Sequence, residues 1–281
     1  MPRNKIAIVT GGTSGIGYAI AKLFVETGTT VIVASSRQDA VEQTMKELNC
    51  DGMAADLSKP DAAKALVDYV LEKYGRVDIL INNAGYGSFG PMESVPMEEA
   101  HRQLEVNVVG VARMTKLVLP YMRTQKSGRI VNIASVAGRT PIYFGGWYNA
   151  SKYALEAISD ATRMETSRFG IDVSIIEPGA VFSDWGVIAA ENLKKPSEGS
   201  AYQKFTDKMS LTREEKKMLR PTVIRSWIMG NLIGILPGAG ASIACFMGYN
   251  SAKQFSKHKE EFGKGSIEGV CGSEAANNAV T

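Results

Sequence analysis

Short runs rich in Val, Ile and Thr alternate with longer amphipathic stretches through the first 180 residues, and this alternation restricts the fold more than any other feature. The runs predict strands at residues 5–10, 30–35, 52–56, 77–82, 129–135 and 171–177. The amphipathic stretches predict helices near residues 16–27, 38–48, 60–74, 97–123 and 147–169. Strand–helix–strand repeats at this spacing indicate right-handed βαβ units. The sequence therefore predicts an α/β domain with a doubly wound parallel sheet.

The pattern stops after Pro178-Gly179, and the rest of the chain has a different character. Residues 190–221 are rich in charge, which indicates a solvated helix or a linker. Residues 226–252 carry no charge, and about 20 apolar residues suffice to span a bilayer. Because Pro237-Gly238 interrupts this stretch, a broken or re-entrant membrane segment is one interpretation. A buried helical hairpin is the other, and the residues alone favour neither.

The charge, cysteine and histidine content excludes several classes of partner. The net charge of +3 is too small to indicate a nucleic-acid partner. Three separated cysteines show no metal-type spacing, and His101 and His258 are expected to lack nearby ligand partners, so no metal site is predicted. No hydrophobic leader precedes the first strand. A cytoplasmic location is therefore expected, with membrane association through residues 226–252 as the alternative.

A glycine-rich turn, Thr10-Gly11-Gly12-Thr13-Ser14-Gly15-Ile16-Gly17, follows the first predicted strand and opens the first predicted helix. Glycines permit a tight turn and let a pyrophosphate approach the backbone and the helix N-terminus. Tyr18 stands after Gly17, where the phosphate loop of nucleoside-triphosphate-binding proteins has Lys followed by Ser or Thr. That class of site is therefore excluded. The turn predicts a dinucleotide site, with a plain tight turn as the alternative.

The end of the second predicted strand bears on the choice of dinucleotide. An acidic residue there binds the adenosine ribose hydroxyls, whereas a basic one pairs with a 2′-phosphate. This chain reads Ala34-Ser35-Ser36-Arg37, with no carboxylate before Asp39. Arg37 can form a bidentate pair with phosphate. The sequence thus favours NADP(H) over NAD(H), the alternative being an ordinary surface arginine.

Tyr148 and Lys152 are four residues apart on a predicted helix and so share one face. Free tyrosine has a pKa of about 10, so a Tyr that serves as a base near neutrality needs a lowered pKa. An ammonium group one turn away has the sign that lowers it. Ser135 ends a predicted strand, where ligands bind in such sheets, and can hydrogen-bond a reacting oxygen. A surface Tyr–Lys pair is the alternative for the pair taken alone.

Residues 4 to about 205 resemble the short-chain dehydrogenase/reductase family. The resemblance rests on the glycine turn and on further residues in the same order along the chain: Asp56-Leu57, Asn82-Asn83-Ala84-Gly85, Asn107, Ser135, Tyr148, Lys152 and Pro178-Gly179. It implies a Rossmann-type NAD(P)-binding fold. It also implies transfer of a hydride between the nicotinamide and a small-molecule carbonyl or secondary alcohol.

The resemblance implies a role for each of these residues. Tyr148 is the expected general acid/base, and Lys152 lowers its pKa and holds the nicotinamide ribose. Ser135 orients the carbonyl or alcohol, and Asn107 shapes the helix backbone that holds a water in a proton relay. The expected cofactor residues are Gly11, Thr13, Ser14, Gly15, Ile16, Gly17, Arg37, Asp56, Leu57, Asn83, Ala84, Gly85, Tyr148, Lys152, Pro178, Gly179 and Val181. Of these, Asp56 is expected to contact adenine, Asn83 to line the cleft, and Pro178-Gly179 to lie beside the nicotinamide. The family's Thr after Pro-Gly is replaced by Val181-Phe182-Ser183, with Ser183 as a substitute.

Residues from about 211 to 281 resemble the large membrane subunit of tripartite tricarboxylate transporters. The resemblance rests on Gly234-Ile235-Leu236-Pro237-Gly238-Ala239-Gly240-Ala241, on Glu261-Phe262-Gly263-Lys264-Gly265 and on Glu274-Ala275-Ala276-Asn277-Asn278-Ala279. No pattern for the seventh strand and C-terminal helix of the dehydrogenase family is found, and a hydrophobic helical tail is expected in their place. We therefore expect a dehydrogenase-like domain at residues 1–205 and a transporter-like tail at 206–281 that is not an independent domain and does not transport.

Three functions follow from these resemblances. The favoured one is an NAD(P)-dependent oxidoreductase. The others are a non-catalytic dinucleotide-binding protein and a membrane-associated fusion with an incomplete substrate pocket. The dehydrogenase resemblance also implies a homodimer formed through the helices near residues 97–123 and 147–169.

Overall fold

A computed structural model describes residues 5–179, 193, 196–208, 213–234 and 241–280. The chain divides into two compact units, one ending at Thr206 and the other starting at Asp207.

The first unit is built on a six-stranded parallel sheet. Its strands are β1 Ile6–Thr10, β2 Thr30–Ser35, β3 Asp51–Ala54, β4 Ile79–Asn82, β5 Gly128–Ile133 and β6 Ile171–Ile176. They lie in the order β3-β2-β1-β4-β5-β6, and every neighbouring pair is parallel. The predicted doubly wound α/β fold is confirmed.

Helices connect the strands of this sheet. They are α1 Gly15–Glu26, α2 Gln38–Leu48, α3 Pro60–Tyr74, α4 Met97–Leu104, α5 Gly110–Gln125 and α6 Gly146–Thr166, and a shorter α7, Gln203–Lys208, follows. The single helix predicted near residues 97–123 is wrong in one respect. A π-helical turn, Glu105–Val109, separates α4 from α5, and Asn107 is buried within it. Such turns are frequent at functional sites because they displace side chains from the regular helical positions.

Alternate residues of the central strands supply two layers of core, one on each side of the sheet. Ile8, Ile32 and Leu80 lie in one layer, and Val9 and Val31 lie in the other. All five side chains are buried because helices cover both faces of the sheet. Each such side chain contributes roughly 1.5–3 kcal/mol of burial free energy. The nearly continuous apolar runs in the sequence are explained by this two-sided burial.

The order of the strands also places the functional end of the sheet. Chain connections from β1 run to one side and those from β4 to the other, so the carboxyl ends of these adjacent strands open a crevice between them. Doubly wound sheets bind ligands at this position. The glycine turn follows β1, and Asn83 follows β4, so both lie at the crevice.

The described part of the second unit is helical and contains no strand. Its helices are α8 Arg213–Gly234, α9 Ala241–Phe255 and α10 Ile267–Val280. A Cβ atom on Gly230 would lie 2.2 Å from the carbonyl oxygen of Ala276, and one on Gly248 would lie 2.3 Å from that of Gly272. Glycine therefore lets α8 and α9 approach α10 closely. The three helices enclose a small core of Ile233, Ala244 and Ala276.

The uncharged stretch at residues 226–252 spans parts of α8 and α9 in this structure. Its Pro237-Gly238 break lies outside the described residues. Among the residues that are described, no helix is both long enough and apolar enough to cross a membrane.

Candidate active site

Backbone contacts fix the glycine turn between β1 and α1. The Gly11 N–H donates to the carbonyl oxygen of Ala34 at the end of β2, at 2.7 Å. Gly11 has φ +62°, which glycine adopts without strain. A Cβ atom on Gly17 would lie only 2.2 Å from the Gly11 carbonyl oxygen. The Ser14 side chain does not cap α1, so the first N–H groups of that helix remain able to bind an anion.

Asn83 ties the glycine turn to the end of β4. Its side-chain Nδ2 donates to the carbonyl oxygens of Thr10 and Gly11, at 3.1 and 3.0 Å. The backbone N–H groups of Asn83 and Ala84 both donate to the Thr10 hydroxyl, at 3.0 and 3.1 Å. The two loops at the crevice are therefore held as one unit, which orients the backbone of residues 10–17. A role for Asn83 in lining a cofactor cleft stays a prediction.

Arg37 and Asp56 lie at the ends of β2 and β3. The Arg37 side chain is 71% exposed, and its Nε lies 3.8 Å from an equally solvated Asp39 carboxylate. An exposed pair of this kind holds its partners weakly. Asp56 accepts hydrogen bonds from the Ser58 hydroxyl at 2.7 Å and from the Ser58 N–H at 3.1 Å. The bond from the Ser58 hydroxyl is the main cause that lowers the pKa of Asp56. Leu57 is buried, and its carbonyl oxygen accepts from Arg113 at 2.7 Å.

Tyr148 lies near the start of α6 and close to Ser135, which follows β5. The Tyr148 side chain is buried beneath Phe89, whose ring centroid is 5.5 Å away, and beside Leu193. Burial raises the pKa of Tyr148, and a hydrogen bond with Ser135 opposes that rise only in part. Ser135 also accepts a hydrogen bond from the N–H of Ala137, at 3.1 Å. The lowered Tyr148 pKa expected from the sequence is thus wrong for this arrangement, because removal of the phenol from water outweighs the favourable contact.

Lys152 follows Tyr148 by one turn of α6 and is also buried. Its Nζ lies 5.8 Å from the centroid of the Tyr148 ring and donates to the carbonyl oxygen of Ile133, at 2.9 Å. Burial lowers the pKa of Lys152 to about 8, and the Glu156 carboxylate opposes this. The helix therefore does bring Tyr148 and Lys152 onto one face, beside Ser135.

Asn107 connects the π-helical turn with two other segments. Its Oδ1 accepts from the N–H of Tyr86 at 3.0 Å, and its Nδ2 donates to the Tyr86 carbonyl oxygen at 2.9 Å. The same Nδ2 donates to the Ser151 hydroxyl on α6, at 3.0 Å. A Cβ atom on Gly85 would lie 3.0 Å from Asn107 Oδ1, so Gly85 allows the loop to pass closely. The water relay implied by the resemblance stays a prediction.

Pro178 and Gly179 follow β6 at the same edge of the sheet. The carbonyl oxygen of Pro178 accepts a hydrogen bond from the N–H of Val136, at 3.1 Å. This contact joins the segment after β6 to the segment that carries Ser135. Val181 and Ser183 lie outside the described residues.

Several residues around this site were not identified in the sequence. Phe89 and Leu193 cover Tyr148 but belong to no periodic pattern, and only the folded chain brings them there. The sequence does allow Glu156 to be placed near Lys152, because it stands four residues later on the same helix face. No pattern in the sequence predicts the ion pair between Glu156 and Arg139.

His258 is not isolated, contrary to the expectation from sequence. Ligand atoms of His258, Glu260 and Glu261 lie within 4.8 Å of one another, and all three residues are exposed. Exposed acidic groups commonly lie together without a metal ion, so this cluster by itself does not indicate a metal site.

Two family models match different parts of the chain. Residues 5–192 match the model described as short chain dehydrogenase. Residues 181–281 match the model described as the tripartite tricarboxylate transporter TctA family. Both resemblances seen in the sequence are thereby confirmed.

Individual relatives and solved structures agree with the first match. A Helicobacter pylori protein named "Probable short-chain type dehydrogenase/reductase VdlC" is 38% identical over 187 residues, which are 66% of this chain and 69% of that protein. A structure of a variant of actinorhodin polyketide ketoreductase with NADPH has a TM-score of 0.67 and 33% identity, covering 78% of this chain and 82% of the other. A structure of NAD+-bound xylitol dehydrogenase has a TM-score of 0.64 and 31% identity, covering 71% and 79%. Proteins of similar fold thus bind either dinucleotide.

Proposed function

This chain belongs to the short chain dehydrogenase family, and we propose that it is an NAD(P)-dependent oxidoreductase acting on a small carbonyl compound or secondary alcohol. The observation that carries the proposal is the meeting of Tyr148, Ser135 and Lys152 at the carboxyl end of β5. Tyr148 and Ser135 are hydrogen-bonded, and the Lys152 amine lies beside the Tyr148 ring. The glycine turn stands two strands away in the same sheet.

The side chains divide the work of the proposed reaction. The Tyr148 hydroxyl donates a proton to the carbonyl oxygen during reduction and takes it back during oxidation. Ser135 hydrogen-bonds the same oxygen and fixes its position. The Lys152 ammonium stabilises the phenolate that remains on Tyr148, because an opposite charge nearby favours the charged form. A bound nicotinamide supplies or accepts the hydride.

The residues of the crevice fit a dinucleotide. The glycine turn exposes backbone N–H groups at the start of α1, and Gly15 has open space where a Cβ atom would lie. Gly17 lets the turn pack closely against Asn83. Asp56 is ionised readily and suits a contact with adenine. The weakly held Arg37 guanidinium suits a 2′-phosphate, so we propose NADP(H) as the preferred cofactor.

Direct titration followed by a turnover screen tests this function. Fluorescence titration with NADPH and with NADH measures both affinities, and we expect NADPH to bind more tightly. A panel of ketones and secondary alcohols, assayed by the absorbance of the reduced nicotinamide, then tests for turnover. Tight binding without turnover on any member of a broad panel would contradict the oxidoreductase and favour the binding protein.

The burial of Tyr148 favours the non-catalytic alternative. Its side chain is only 6% exposed, and its pKa is raised. A group of this kind needs a change in its surroundings before it exchanges protons with a substrate. The Tyr148→Phe comparison in the Discussion separates the two functions.

Exposed apolar side chains favour a membrane contact for the second unit. Trp227 and Leu232 on α8 and Phe246 and Phe255 on α9 are each more than half exposed. Co-sedimentation of the full chain with phospholipid vesicles tests this contact, and recovery of all protein in the supernatant would contradict it.

A depression between α5 and α6 supports the proposed homodimer. Leu119 and Pro120 of α5 and Ile158 of α6 supply apolar surface, and Lys116 and Arg123 also line it. Light scattering coupled to gel filtration measures the mass in solution. A monomer at micromolar concentration would contradict the dimer.

A further inference from the structure

Glu156 is a buried carboxylate next to the proposed catalytic helix face. It stands four residues after Lys152 on α6, and its residue surface is 4% exposed. Its Oε2 accepts from Arg139 Nη2, at 2.9 Å. A buried carboxylate is costly unless it is paired, so its presence one turn from a buried lysine calls for a reason.

Arg139 holds Glu156 from a different segment of the chain. It follows the short helical turn Val136–Gly138, which begins directly after Ser135. Its Nε and Nη2 also donate to Glu177 Oε1, at 3.1 and 3.0 Å. Glu177 stands between β6 and Pro178. One guanidinium therefore links the segment of Ser135, the helix of Tyr148 and Lys152, and the segment of Pro178.

Gly138 leaves room for the carboxylate. A Cβ atom on Gly138 would lie 3.0 Å from Glu156 Cγ and 3.2 Å from Glu156 Oε1. Its φ is not in the left-handed region, so steric room is the reason glycine suits this position. The loop after Ser135 is thus shaped around Glu156.

Within this cluster Arg139 affects the pKa of Glu156, and Glu156 in turn affects the pKa of Lys152. Burial lowers the pKa of Lys152 to about 8, and the Glu156 carboxylate raises it. Burial also raises the pKa of Glu156, the Glu177 and Asp160 carboxylates raise it further, and Arg139 lowers it. The pKa of Glu156 is raised overall, and Arg139 opposes this rise only in part. The ionised form of Glu156 favours the ammonium form of Lys152.

Among the residues that the structure describes, the other groups that contact Lys152 are uncharged. On its own helix Tyr148 faces it. From β5 the Ile133 carbonyl oxygen accepts its hydrogen bond. From the segment after β4 it lies near Gly85, where a Cβ atom would be 3.9 Å from Lys152 Nζ and 3.0 Å from Asn107 Oδ1. Among the described residues, Glu156 is the carboxylate that acts on Lys152.

We propose that Glu156, held in place by Arg139, is a positioning residue that keeps the Lys152 side chain protonated at neutral pH. The catalytic meaning of this arrangement rests on the proposed oxidoreductase function, because Lys152 must be an ammonium ion to stabilise a Tyr148 phenolate. The electrostatic coupling itself does not depend on turnover. Glu156 touches neither substrate nor cofactor in this account and acts only through Lys152.

Titration of Lys152 by nuclear magnetic resonance tests the coupling directly. The full chain is labelled with 13C at lysine Cε, and the Lys152 signal is assigned by its loss in Lys152→Arg. Wild type is compared with Glu156→Gln, with the conservative Glu156→Asp and with Glu165→Gln. Glu165 is an exposed acid on the same helix and serves as the matched control.

Removal of the carboxylate should lower the titration midpoint of Lys152. We expect a fall on the order of one pH unit in Glu156→Gln, retention of most of the wild-type value in Glu156→Asp, and no change in Glu165→Gln. A midpoint in folded Glu156→Gln that matches wild type would overturn the proposal. Should Glu156→Gln fail to fold, Glu156→Ala takes its place, since it also removes the carboxylate and should lower the same midpoint; an unchanged midpoint there overturns the proposal equally.

A pH profile of turnover separates this inference from the proposed function. In Glu156→Gln, kcat should fall at a lower pH than in wild type as Lys152 loses its proton, with KM changed less than kcat. If wild type turns over no substrate but the Lys152 midpoint still falls in Glu156→Gln, the oxidoreductase proposal is contradicted and the electrostatic coupling is supported. If wild type turns over and the midpoint does not move, the coupling fails alone.

Discussion

The amine of Lys152 donates a hydrogen bond to the carbonyl oxygen of Ile133, at 2.9 Å. This contact ties the middle of α6 to the last residue of β5, two positions before Ser135. It fixes the amine beside the Tyr148 ring while leaving two of its three N–H groups for other partners. The Lys152 side chain thus links α6 directly to the sheet.

Replacement of Tyr148 by Phe should abolish turnover and leave cofactor binding unchanged. The ring and its packing against Phe89 are kept, and only the proton donor is lost. General acid–base catalysis contributes roughly 10²- to 10⁴-fold, so kcat should fall by at least about 100-fold. The measurement is kcat together with the Kd of NADPH from fluorescence titration. Tyr121→Phe, at an exposed position on α5, is the control. Equal rates for Tyr148→Phe and wild type would refute the assignment.

Replacement of Arg37 by Ala should weaken NADPH binding selectively. The guanidinium is exposed, and its ion pair in the described part of the chain is with a solvated Asp39. Its loss therefore costs little stability, while a charge-assisted bond to a 2′-phosphate disappears. We expect the Kd of NADPH to rise on the order of tenfold and that of NADH to stay within about twofold. Calorimetric titration with both dinucleotides measures the ratio, and Lys22→Ala on the exposed face of α1 is the control. An equal loss of affinity for NADPH and NADH would show that Arg37 does not bind the 2′-phosphate.

Gly17 should tolerate no side chain. A Cβ atom there would lie 2.2 Å from the Gly11 carbonyl oxygen and 2.4 Å from Asn83 Nδ2, so the turn must move. Overpacking of this kind costs about 1–3 kcal/mol. Gly17→Ala should lower the free energy of unfolding by that amount and weaken binding of both NADPH and NADH. Urea denaturation and the two titrations measure these effects. Unchanged affinity for both dinucleotides in the folded variant would exclude the turn as their site.

The sequence predicted the sheet well because its signals are local. The predicted runs locate all six strands to within two residues. The signal is clear for the central strands because burial on both faces requires apolar side chains at nearly every position. The same locality explains why Tyr148 and Lys152 were placed on one helix face. Both inferences depend on residues near each other in the chain.

Other features could not be predicted, because they depend on residues distant in sequence. In the π-helical turn, Asn107 donates hydrogen bonds to Tyr86 and Ser151, which are distant in sequence. No local helix propensity predicts this turn. The sign of the Tyr148 pKa shift depends on how deeply Phe89 and Leu193 bury the ring. Charge spacing alone gave the opposite sign, since it counts the nearby ammonium and omits desolvation.

The carboxylate of Asp78 should stabilise the first unit in a pH-dependent way. Burial raises its pKa, but hydrogen bonds from Arg76, from the N–H of Ile6 and from Lys5 lower it overall. Because the folded pKa lies below the unfolded value, its contribution is complete above about pH 4 and is lost as the pH falls through the folded pKa. Asp78→Asn should reduce the free energy of unfolding on the order of 2 kcal/mol at pH 7. Urea denaturation at pH 7, 5 and 3 should show the gap from wild type narrowing at the lowest pH. A gap independent of pH would contradict an ionic role.

Gly248 should be essential to the packing of the second unit. A Cβ atom on this residue would lie 2.3 Å from the Gly272 carbonyl oxygen and 2.7 Å from the Ala276 Cβ, so α9 and α10 would have to separate. Gly248→Ala should therefore loosen both helices at a cost of about 1–3 kcal/mol, even though alanine favours an isolated helix. Hydrogen exchange read by mass spectrometry should show faster exchange within residues 241–280 and unchanged exchange in β1. Asn250→Ala, an exposed position on the same helix, is the control for helix propensity. If Gly248→Ala and Asn250→Ala exchange alike, close contact between these helices does not stabilise the unit.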